Sequence, residues 1–179
     1  TIKIIPSKVD KKIKHSIKNL DKYNFVIFTS VNGVEVFMDL LEKYGKLEVL
    51  RRKKIYAIGP ITAKTIKDYG FEVSGVPSEY RAEEILSVLG RRSRRGNIKG
   101  KNILLPRAKE SREILVELLV KKGAIVDEIS IYKTESEKNI PDEFINALEN
   151  KKINCITFTS SSTVRNFNKL VGGLKRHLK

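Results

Sequence analysis

Residues that commonly carry redox or metal chemistry are scarce in this chain. Its 179 residues include one cysteine, Cys155, so an intrachain disulfide is excluded. Cys155 lies within a short apolar run, a position that predicts a buried thiol rather than a nucleophile. The two histidines, His15 and His177, are far apart and have no cysteine or carboxylate partner at ligand spacing. We therefore expect no metal site.

Membrane-spanning and disordered segments are not indicated either. No uninterrupted apolar run approaches the roughly 18 residues of a transmembrane helix, and the N-terminus has no signal-peptide pattern. Hydrophobic residues make up 40% of the chain and there are only five prolines, which favours a globular core over disorder. We expect a soluble, cytoplasmic protein that has no membrane partner and is a monomer.

Acidic residues are outnumbered by basic ones, 21 to 36, and the formal net charge is +15. The basic residues are clustered, most densely at 51–54 and 91–95. Such a charge attracts anions, but no recognised nucleic-acid motif accompanies it, and aromatic residues are only 7% of the chain. A lysine-rich solvated surface is the favoured interpretation, and nucleic acid is not an expected partner.

One pattern, Phe-Thr-Ser-x-x-x-Val-x-x-Phe, occurs twice, at 28–37 and at 158–167. Each copy follows an apolar run and precedes a helix-like stretch, so each predicts a strand, a polar turn and a helix. Hydroxyls and free backbone N–H groups at the start of a helix form a binding place for anions. Two such turns predict a ligand held between two similar domains.

The apolar pattern predicts the α/β class. Short apolar runs alternate with amphipathic stretches of ten residues or more, which is typical of parallel βα units. The predicted strands are 2–5, 25–28, 55–58, 72–76, 103–105, 125–132 and 154–158. The predicted helices are 10–20, 33–44, 60–69, 82–89, 111–122, 141–150 and 162–170. The Arg- and Ser-rich stretch 90–100 is predicted to be a loop.

The predicted elements divide unevenly along the chain. Residues 25–132 hold five strands and enough helices to cover both faces of a sheet, so this segment can close a core. Residues 1–8 and 133–179 supply only two strands and two helices, too little for a stable independent sheet. Either these ends pack on the first domain, or the sequence lacks parts of a second domain at both ends.

Six short motifs, in this order and spacing over essentially the whole chain, resemble the uroporphyrinogen-III synthase family. The motifs are Phe28-Thr29-Ser30, Ala57-Ile58-Gly59-Pro60-Ile61-Thr62-Ala63, Val76-Pro77-Ser78-Glu79-Tyr80 before Ala82-Glu83-Glu84-Ile85-Leu86, Ile103-Leu104-Leu105-Pro106-Arg107 before Arg112-Glu113, Ile131-Tyr132-Lys133-Thr134, and Thr159-Ser160. Each motif alone occurs in many α/β proteins, so the resemblance depends on the series.

The resemblance implies two flavodoxin-like parallel-sheet domains joined by a two-strand connector, one domain being split between the chain ends. Residues 10–130 would form the complete inserted domain. Residues 1–9 and 131–179 would form the connector strands and a partial second domain. Family members usually begin with a strand ending in Thr-Arg-Pro and carry a second Ile-Gly-x-x-Thr segment late in the chain. Because neither is present, we expect the terminal, split domain to be incomplete.

The function implied by the resemblance is the cyclisation of hydroxymethylbilane to uroporphyrinogen III, a lyase reaction of porphyrin and heme biosynthesis. The substrate is a linear tetrapyrrole with eight carboxylates, and its last ring is inverted as water is lost. The family uses no cofactor and no metal. The alternative that stays open is a basic α/β module that binds phosphate or a nucleic-acid backbone without catalysis.

The same resemblance indicates which residues carry the chemistry. Tyr132 is the implied hydrogen-bond donor or acid that helps the hydroxyl to leave; the alternative is a tyrosine half-buried at a strand end. The helix-start residues expected to bind substrate carboxylates are Thr29, Ser30, Asn32, Gly59, Pro60, Thr62, Ser78, Thr159, Ser160 and Ser161. For the hydroxyl-bearing ones the alternative is an ordinary N-cap. Arg107 and Lys133 are the expected cations of the cleft, with an exposed loop charge as the alternative.

Overall fold

The computed structural model describes residues 2–78, 82–91, 98–111, 113–137, 139–158 and 161–172. The strands are β1 (Ile2–Pro6), β2 (Phe25–Phe28), β3 (Lys54–Ala57), β4 (Asn102–Ala108) and β5 (Ile125–Ser136). The helices are α1 (Lys11–Lys18), α2 (Val31–Lys43), α3 (Leu47–Arg51), α4 (Pro60–Asp68), α5 (Ala82–Arg91), α6 (Ile114–Lys121), α7 (Asp142–Glu149) and α8 (Ser161–Val171). A 3-10 turn spans Leu20–Lys22.

The strands form one mixed sheet in the order β1-β5-β4-β2-β3. The pairs β2 with β3, β2 with β4, and β4 with β5 are parallel. Parallel neighbours need crossover connections, and helices occupy those connections here. The predicted α/β class is confirmed.

By its internal contacts the chain divides into two compact units. One unit is Pro6–Lys133, and the other combines Thr1–Ile5 with Thr134–Lys179. The finer domain boundaries, 10–130 against 1–9 with 131–179, stay a prediction. No described helix has both the length and the apolar character needed to cross a membrane.

Strand β2 is central in the Pro6–Lys133 unit, and all four of its residues are buried. Successive side chains of a strand point to opposite faces, so β2 serves two cores. Phe25 and Ile27 join a cluster that includes residues of α5 and α6. Phe28 faces the other way, and its ring centroid lies 5.7 Å from that of Phe37 in α2. Helices thus cover both faces and leave the strand ends for polar residues.

The predicted strand at 72–76 is wrong, because only Gly75 forms a bridge, to Tyr56. Backbone bonds from Ser74 N to Ile55 O (2.7 Å) and from Ala57 N to Gly75 O (3.2 Å) hold the segment beside β3. A Cβ at Gly75 would lie 2.3 Å from Val88 Cγ1, so the residue must stay small. Glycine weakens a strand, which explains why the pairing stops at one bridge.

The predicted strand at 154–158 is also wrong. The segment has no strand pairing within the described residues, and Ile156 and Phe158 are 41% and 38% exposed. Cys155 is exposed as well, which corrects the expectation of a buried thiol. An apolar run becomes a strand only where neighbouring strands supply hydrogen bonds, and apolar composition does not report whether such neighbours exist.

Most helices begin or end within three residues of their predicted bounds. Helix α3 was not predicted, because a five-residue helix is too short to show an apolar period. Helix α5 continues to Arg91, so the predicted loop at 90–100 begins later than expected. Residues 92–97 of that loop lie outside the described residues.

Candidate functional site

Three neighbouring parallel strands bring the main candidate residues to one edge of the sheet. β5, β4 and β2 are adjacent and run in the same direction, so their carboxyl ends lie side by side. Ser30 follows the end of β2, Pro106 lies near the end of β4, and Tyr132 lies in β5 opposite Ala108. Ligands of open α/β sheets bind at this edge.

Ser30 and Tyr132 are in direct contact. The Tyr132 Oη atom lies 2.9 Å from Ser30 Oγ, although the two residues are 102 positions apart in the sequence. Ser30 is also the N-cap of α2, because its Oγ accepts a hydrogen bond of 3.1 Å from Gly33 N–H. Tyr132 is 4% exposed, whereas Ser30 is half-buried. The structure thus brings together two residues that were predicted separately from the sequence.

Gly33 allows the start of α2 to approach the other two strands. A Cβ on this residue would lie 3.1 Å from Ser30 Oγ, 3.3 Å from Pro106 O and 3.9 Å from Tyr132 Cε1. A side chain here would therefore displace the N-cap or the end of β4. Gly33 is not among the residues predicted for the site, since it occupies a variable position of the repeat and the second copy has Thr163 there.

A bulge determines how β5 presents Tyr132. Arg107 pairs with Ser130, but Ala108 pairs with Tyr132, so Ile131 is the extra residue in β5. Bulges interrupt the alternation of side chains and redirect them, and they are frequent beside active sites. Consistent with this, the consecutive residues Ile131 and Tyr132 are both buried. Simple alternation along the strand does not give the direction of Tyr132.

Arg107 was predicted directly after a strand end, and the structure places it inside β4 instead. It is 5% exposed, and its Nε lies 3.4 Å from Glu128 Oε1. The alternative of an exposed loop charge is therefore wrong for Arg107. Burial lowers the pKa of its guanidinium, while Glu128 and Tyr132 act in the opposite direction. An arginine in a protein stays protonated, so the charge remains at this edge of the sheet.

The other candidates of the Pro6–Lys133 unit lie around this edge. Thr29 and Asn32 are half-buried beside Ser30, and Lys133 is half-buried next to Tyr132. At the start of α4, after β3, Gly59 has φ 106° and Pro60 occupies the first helical turn. Thr62 in the same helix is 5% exposed, and Ser78 is exposed on the chain after β3. Their predicted substrate contacts stay predictions.

The second copy of the repeat lies in the other unit. Ser161 begins α8 and is exposed, while Thr159 and Ser160 lie outside the described residues. The helix predicted for this copy is confirmed. Phe167 of α8 packs against Phe158 at 5.2 Å and against Phe144 at 6.0 Å between ring centroids. The predicted role of the second copy in binding remains a prediction.

In the part of the chain that the structure describes, no group of three or more His, Cys, Asp or Glu residues is placed to hold a metal ion. The polar groups at the candidate edge are instead hydroxyls, a carbonyl, the Asn32 amide, the Lys133 ammonium and the Arg107 guanidinium. This set suits hydrogen bonding and proton donation to an anionic organic ligand.

A model of the family described as uroporphyrinogen-III synthase HemD matches residues 1–179. The chain belongs to the uroporphyrinogen-III synthase family. A uroporphyrinogen-III synthase of Synechococcus elongatus is 29% identical over 172 residues, covering 96% of this chain and 63% of the relative.

Solved structures of uroporphyrinogen-III synthases have a similar fold. A mutant uroporphyrinogen III synthase of Thermus thermophilus superposes with a TM-score of 0.65 at 16% identity, covering 94% of this chain and 65% of that one. The protein named uroporphyrinogen-III synthetase of Helicobacter pylori gives a TM-score of 0.55 at 25% identity, covering 82% and 59%. The chain spans less than two thirds of the length of the curated relatives that it matches first.

Proposed function

We propose that the protein is a uroporphyrinogen-III synthase, a lyase that cyclises hydroxymethylbilane to uroporphyrinogen III with loss of water. The observation that carries this proposal is the 2.9 Å contact between the Tyr132 and Ser30 hydroxyls at the start of α2, in a chain of this family. The contact places a proton-bearing phenol beside a helix N-terminus that favours anions.

The substrate would be held mainly through its eight carboxylates. The first turn of α2 has backbone N–H groups that make no bond within the helix, and Thr29, Ser30 and Asn32 surround it. The formal net charge of +15 draws a polyanion towards the protein. Arg107, which interacts electrostatically with Tyr132, and Lys133, the next residue of β5, add positive charge in this region. Orientation of a flexible substrate alone supplies roughly 7–11 kcal/mol of a barrier in favourable cases.

In the proposed reaction, the bond between the hydroxymethyl carbon and its oxygen breaks, and its electron pair leaves with the oxygen. Tyr132 transfers its proton to that oxygen, so water departs. The pyrrole ring supplies electron density to the carbon that remains. A new carbon–carbon bond then forms from the substituted carbon of the last ring. The older bond from that carbon to its bridging carbon breaks, and the bridging carbon bonds to the unsubstituted carbon of the same ring, which inverts the ring. The proton that this unsubstituted carbon loses restores the phenol. A phenol is a weak acid but an adequate hydrogen-bond donor to a departing hydroxide.

For the whole architecture we propose two flavodoxin-like domains, with 10–130 as the inserted domain and 1–9 with 131–179 as connectors and part of the second. Two observations support this. The Pro6–Lys133 unit has its own buried core. In the other unit Ile156, Phe158 and Val164 are 41%, 38% and 44% exposed, which is apolar surface that a complete domain would cover. We also propose a cytoplasmic monomer that needs no cofactor.

A coupled assay tests the proposed function. Freshly made hydroxymethylbilane is added to the full-length protein, and the product isomers are separated. We expect type III uroporphyrinogen above the type I background that forms spontaneously. A folded protein that yields only the type I isomer would refute the proposal. Tight, steeply salt-dependent binding to generic DNA in that same protein would instead support the basic binding module.

A further inference from the structure

We propose that Ser30 is a positioning residue that acts on the reaction through Tyr132. This inference depends on the proposed function and assigns a role within that same site. In it, the Ser30 hydroxyl donates a hydrogen bond to Tyr132 Oη, which orients the phenol and leaves the phenol hydrogen for the departing oxygen of the substrate.

The bonds of Ser30 are compatible with this direction of donation. Its Oγ already accepts a hydrogen bond from Gly33 N–H at 3.1 Å, which occupies one acceptor position of the oxygen. The hydroxyl hydrogen of Ser30 remains to be donated, and Tyr132 Oη lies 2.9 Å away. The two side chains carry two hydroxyl hydrogens, and their mutual bond uses one of them. The other hydrogen is therefore available to an external acceptor.

Packing fixes both partners in this arrangement. Tyr132 is 4% exposed, so its ring cannot turn freely. A Cβ on Gly33 would lie in tight contact with Ser30 Oγ and Pro106 O and in ordinary contact with the Tyr132 ring, so these groups approach one another closely. Such a rigid environment keeps a hydrogen-bond donor aimed at its target without reorganisation during the reaction.

The same contact helps as charge develops. When the proton moves from Tyr132 to the departing oxygen, negative charge grows on Oη. A hydrogen bond donated by Ser30 to that oxygen becomes stronger as the charge grows, because bonds to ionised acceptors are stronger than neutral ones. The benefit appears in the transition state, so it raises kcat more than it changes KM.

A double-mutant cycle tests the inference. Ser30→Ala should lower kcat roughly 10-fold, as expected for the loss of one hydrogen bond that strengthens in the transition state. Tyr132→Phe should lower kcat roughly 100-fold without abolishing turnover, which is the low end for a general acid. If Ser30 acts through Tyr132, the double variant should be no slower than Tyr132→Phe alone. Multiplication of the two single effects, to roughly 1,000-fold, would overturn the inference.

Controls separate this role from simple capping of α2. Asp10 is the N-cap of α1, with Oδ1 2.7 Å from Ile13 N, so Asp10→Ala removes a matched cap elsewhere and should leave kcat unchanged. Ser30→Gly keeps a tolerated N-cap residue while it removes the hydroxyl together with its Cβ, so it should reproduce the kcat loss if Ser30→Ala proves too unstable. A Ser30→Gly variant with wild-type kcat would contradict the inference.

A spectroscopic measurement on the unreacted protein tests the Ser30–Tyr132 contact independently of the enzyme assay. With tyrosine labelled by 13C at Cζ, the Tyr132 resonance is assigned by its loss in Tyr132→Phe. Ser30→Gly should shift that resonance, while Asp10→Ala should not. If the wild-type protein forms no type III isomer, the proposed function fails whatever the resonance does. If it does form that isomer and the resonance is unmoved by Ser30→Gly, the inference about Ser30 is wrong.

Discussion

The two copies of the repeat, 28–37 and 158–167, share a sequence pattern and a helix, but within the described residues only the first copy follows a strand. In the first copy a fully buried strand leads through Ser30 into α2. In the second copy the described residues before the motif form no strand and are mostly exposed, and the helix α8 forms as expected. The helix depends on contacts within a few residues, whereas a strand depends on distant neighbours. The pattern therefore predicts the helix in both copies and the strand in only one.

In the first copy, a residue from another strand completes the candidate site. Ser30 meets Tyr132 because β2 and β5 flank β4 in the same sheet. In the second copy Ser161, the counterpart of Val31, is exposed at the start of α8, and Ser160, the counterpart of Ser30, lies outside the described residues. A motif of hydroxyls at a helix start becomes a site when a residue from another strand joins it.

The strongest way to break this comparison is to make the same substitution beside each copy. Ile27 in β2 is fully buried, whereas Ile156 is 41% exposed. Ile27→Ala should lower the free energy of unfolding by about 2–5 kcal/mol, since it leaves a cavity in a packed core. Ile156→Ala should change it by no more than about 0.5 kcal/mol, as for surface positions.

Urea unfolding of both variants, followed by circular dichroism, measures the two values. The buried Val26 offers a check through Val26→Ala, which should resemble Ile27→Ala in direction. A cost above about 2 kcal/mol for Ile156→Ala would show that the second copy has a packed strand in solution, and the contrast between the copies would fail.

Much of the site could be predicted from the sequence, and its geometry could not. Ser30 was predicted as a site residue because a hydroxyl follows an apolar strand there. Tyr132 was predicted because of the resemblance to the family. Their contact joins residues 102 positions apart, which no local period reports. The bulge at Ile131 affects the direction of the Tyr132 side chain, and no residue type in the sequence indicates that a bulge forms there.

The fold shows the same division between local and distant effects. The apolar run of β2 was predicted at its observed bounds, because a central parallel strand is buried on both faces. The Gly75 segment was predicted as a strand on composition alone, although the Val88 side chain leaves no space for a larger residue. Gly33 was not recognised, since part of its importance comes from Pro106 O, which is distant in the sequence.

A second test of the comparison introduces a residue of the second copy into the first copy. Gly33→Thr places in the first copy the residue that the second copy has at position 163. The new Cβ would lie 3.3 Å from Pro106 O, so overpacking should destabilise the protein by about 1–3 kcal/mol. Gly33→Ala should show a smaller part of the same effect, since it adds only the Cβ.

The measurement is the free energy of unfolding of both variants, together with the 13C resonance of Tyr132. We expect the resonance to move in both, because the substitution displaces Ser30 or Pro106. If both variants are as stable as the wild type and the resonance stays in place, the close approach at Gly33 is not a requirement of the first copy.

The smallest expected effect concerns the amino ends of the strands, where side chains make a second contact between the β2 region and β5. Tyr23, just before β2, donates a hydrogen bond of 2.6 Å to Asp127 Oδ2 of β5, and Lys22 Nζ lies 2.8 Å from the same oxygen. Burial acts to raise the pKa of Asp127, but the bonds from Lys22 and Tyr23 outweigh it, and the pKa is lowered. A carboxyl whose pKa is lowered by folding stabilises the protein above its unfolded pKa of about 3.9.

That stabilisation should be lost as the pH falls below about 4 and through the folded pKa of Asp127. Because the Asp127 side chain is 33% exposed, solvent screening limits the effect to about 1 kcal/mol or less. Urea unfolding between pH 3 and pH 7 should show a shallower acid loss for Asp127→Asn than for the wild type, and an intermediate one for Tyr23→Phe. Identical slopes in all three proteins would mean that this second junction does not hold β2 to β5. The contact of Ser30 with Tyr132 would then depend on the carboxyl edge of the sheet alone.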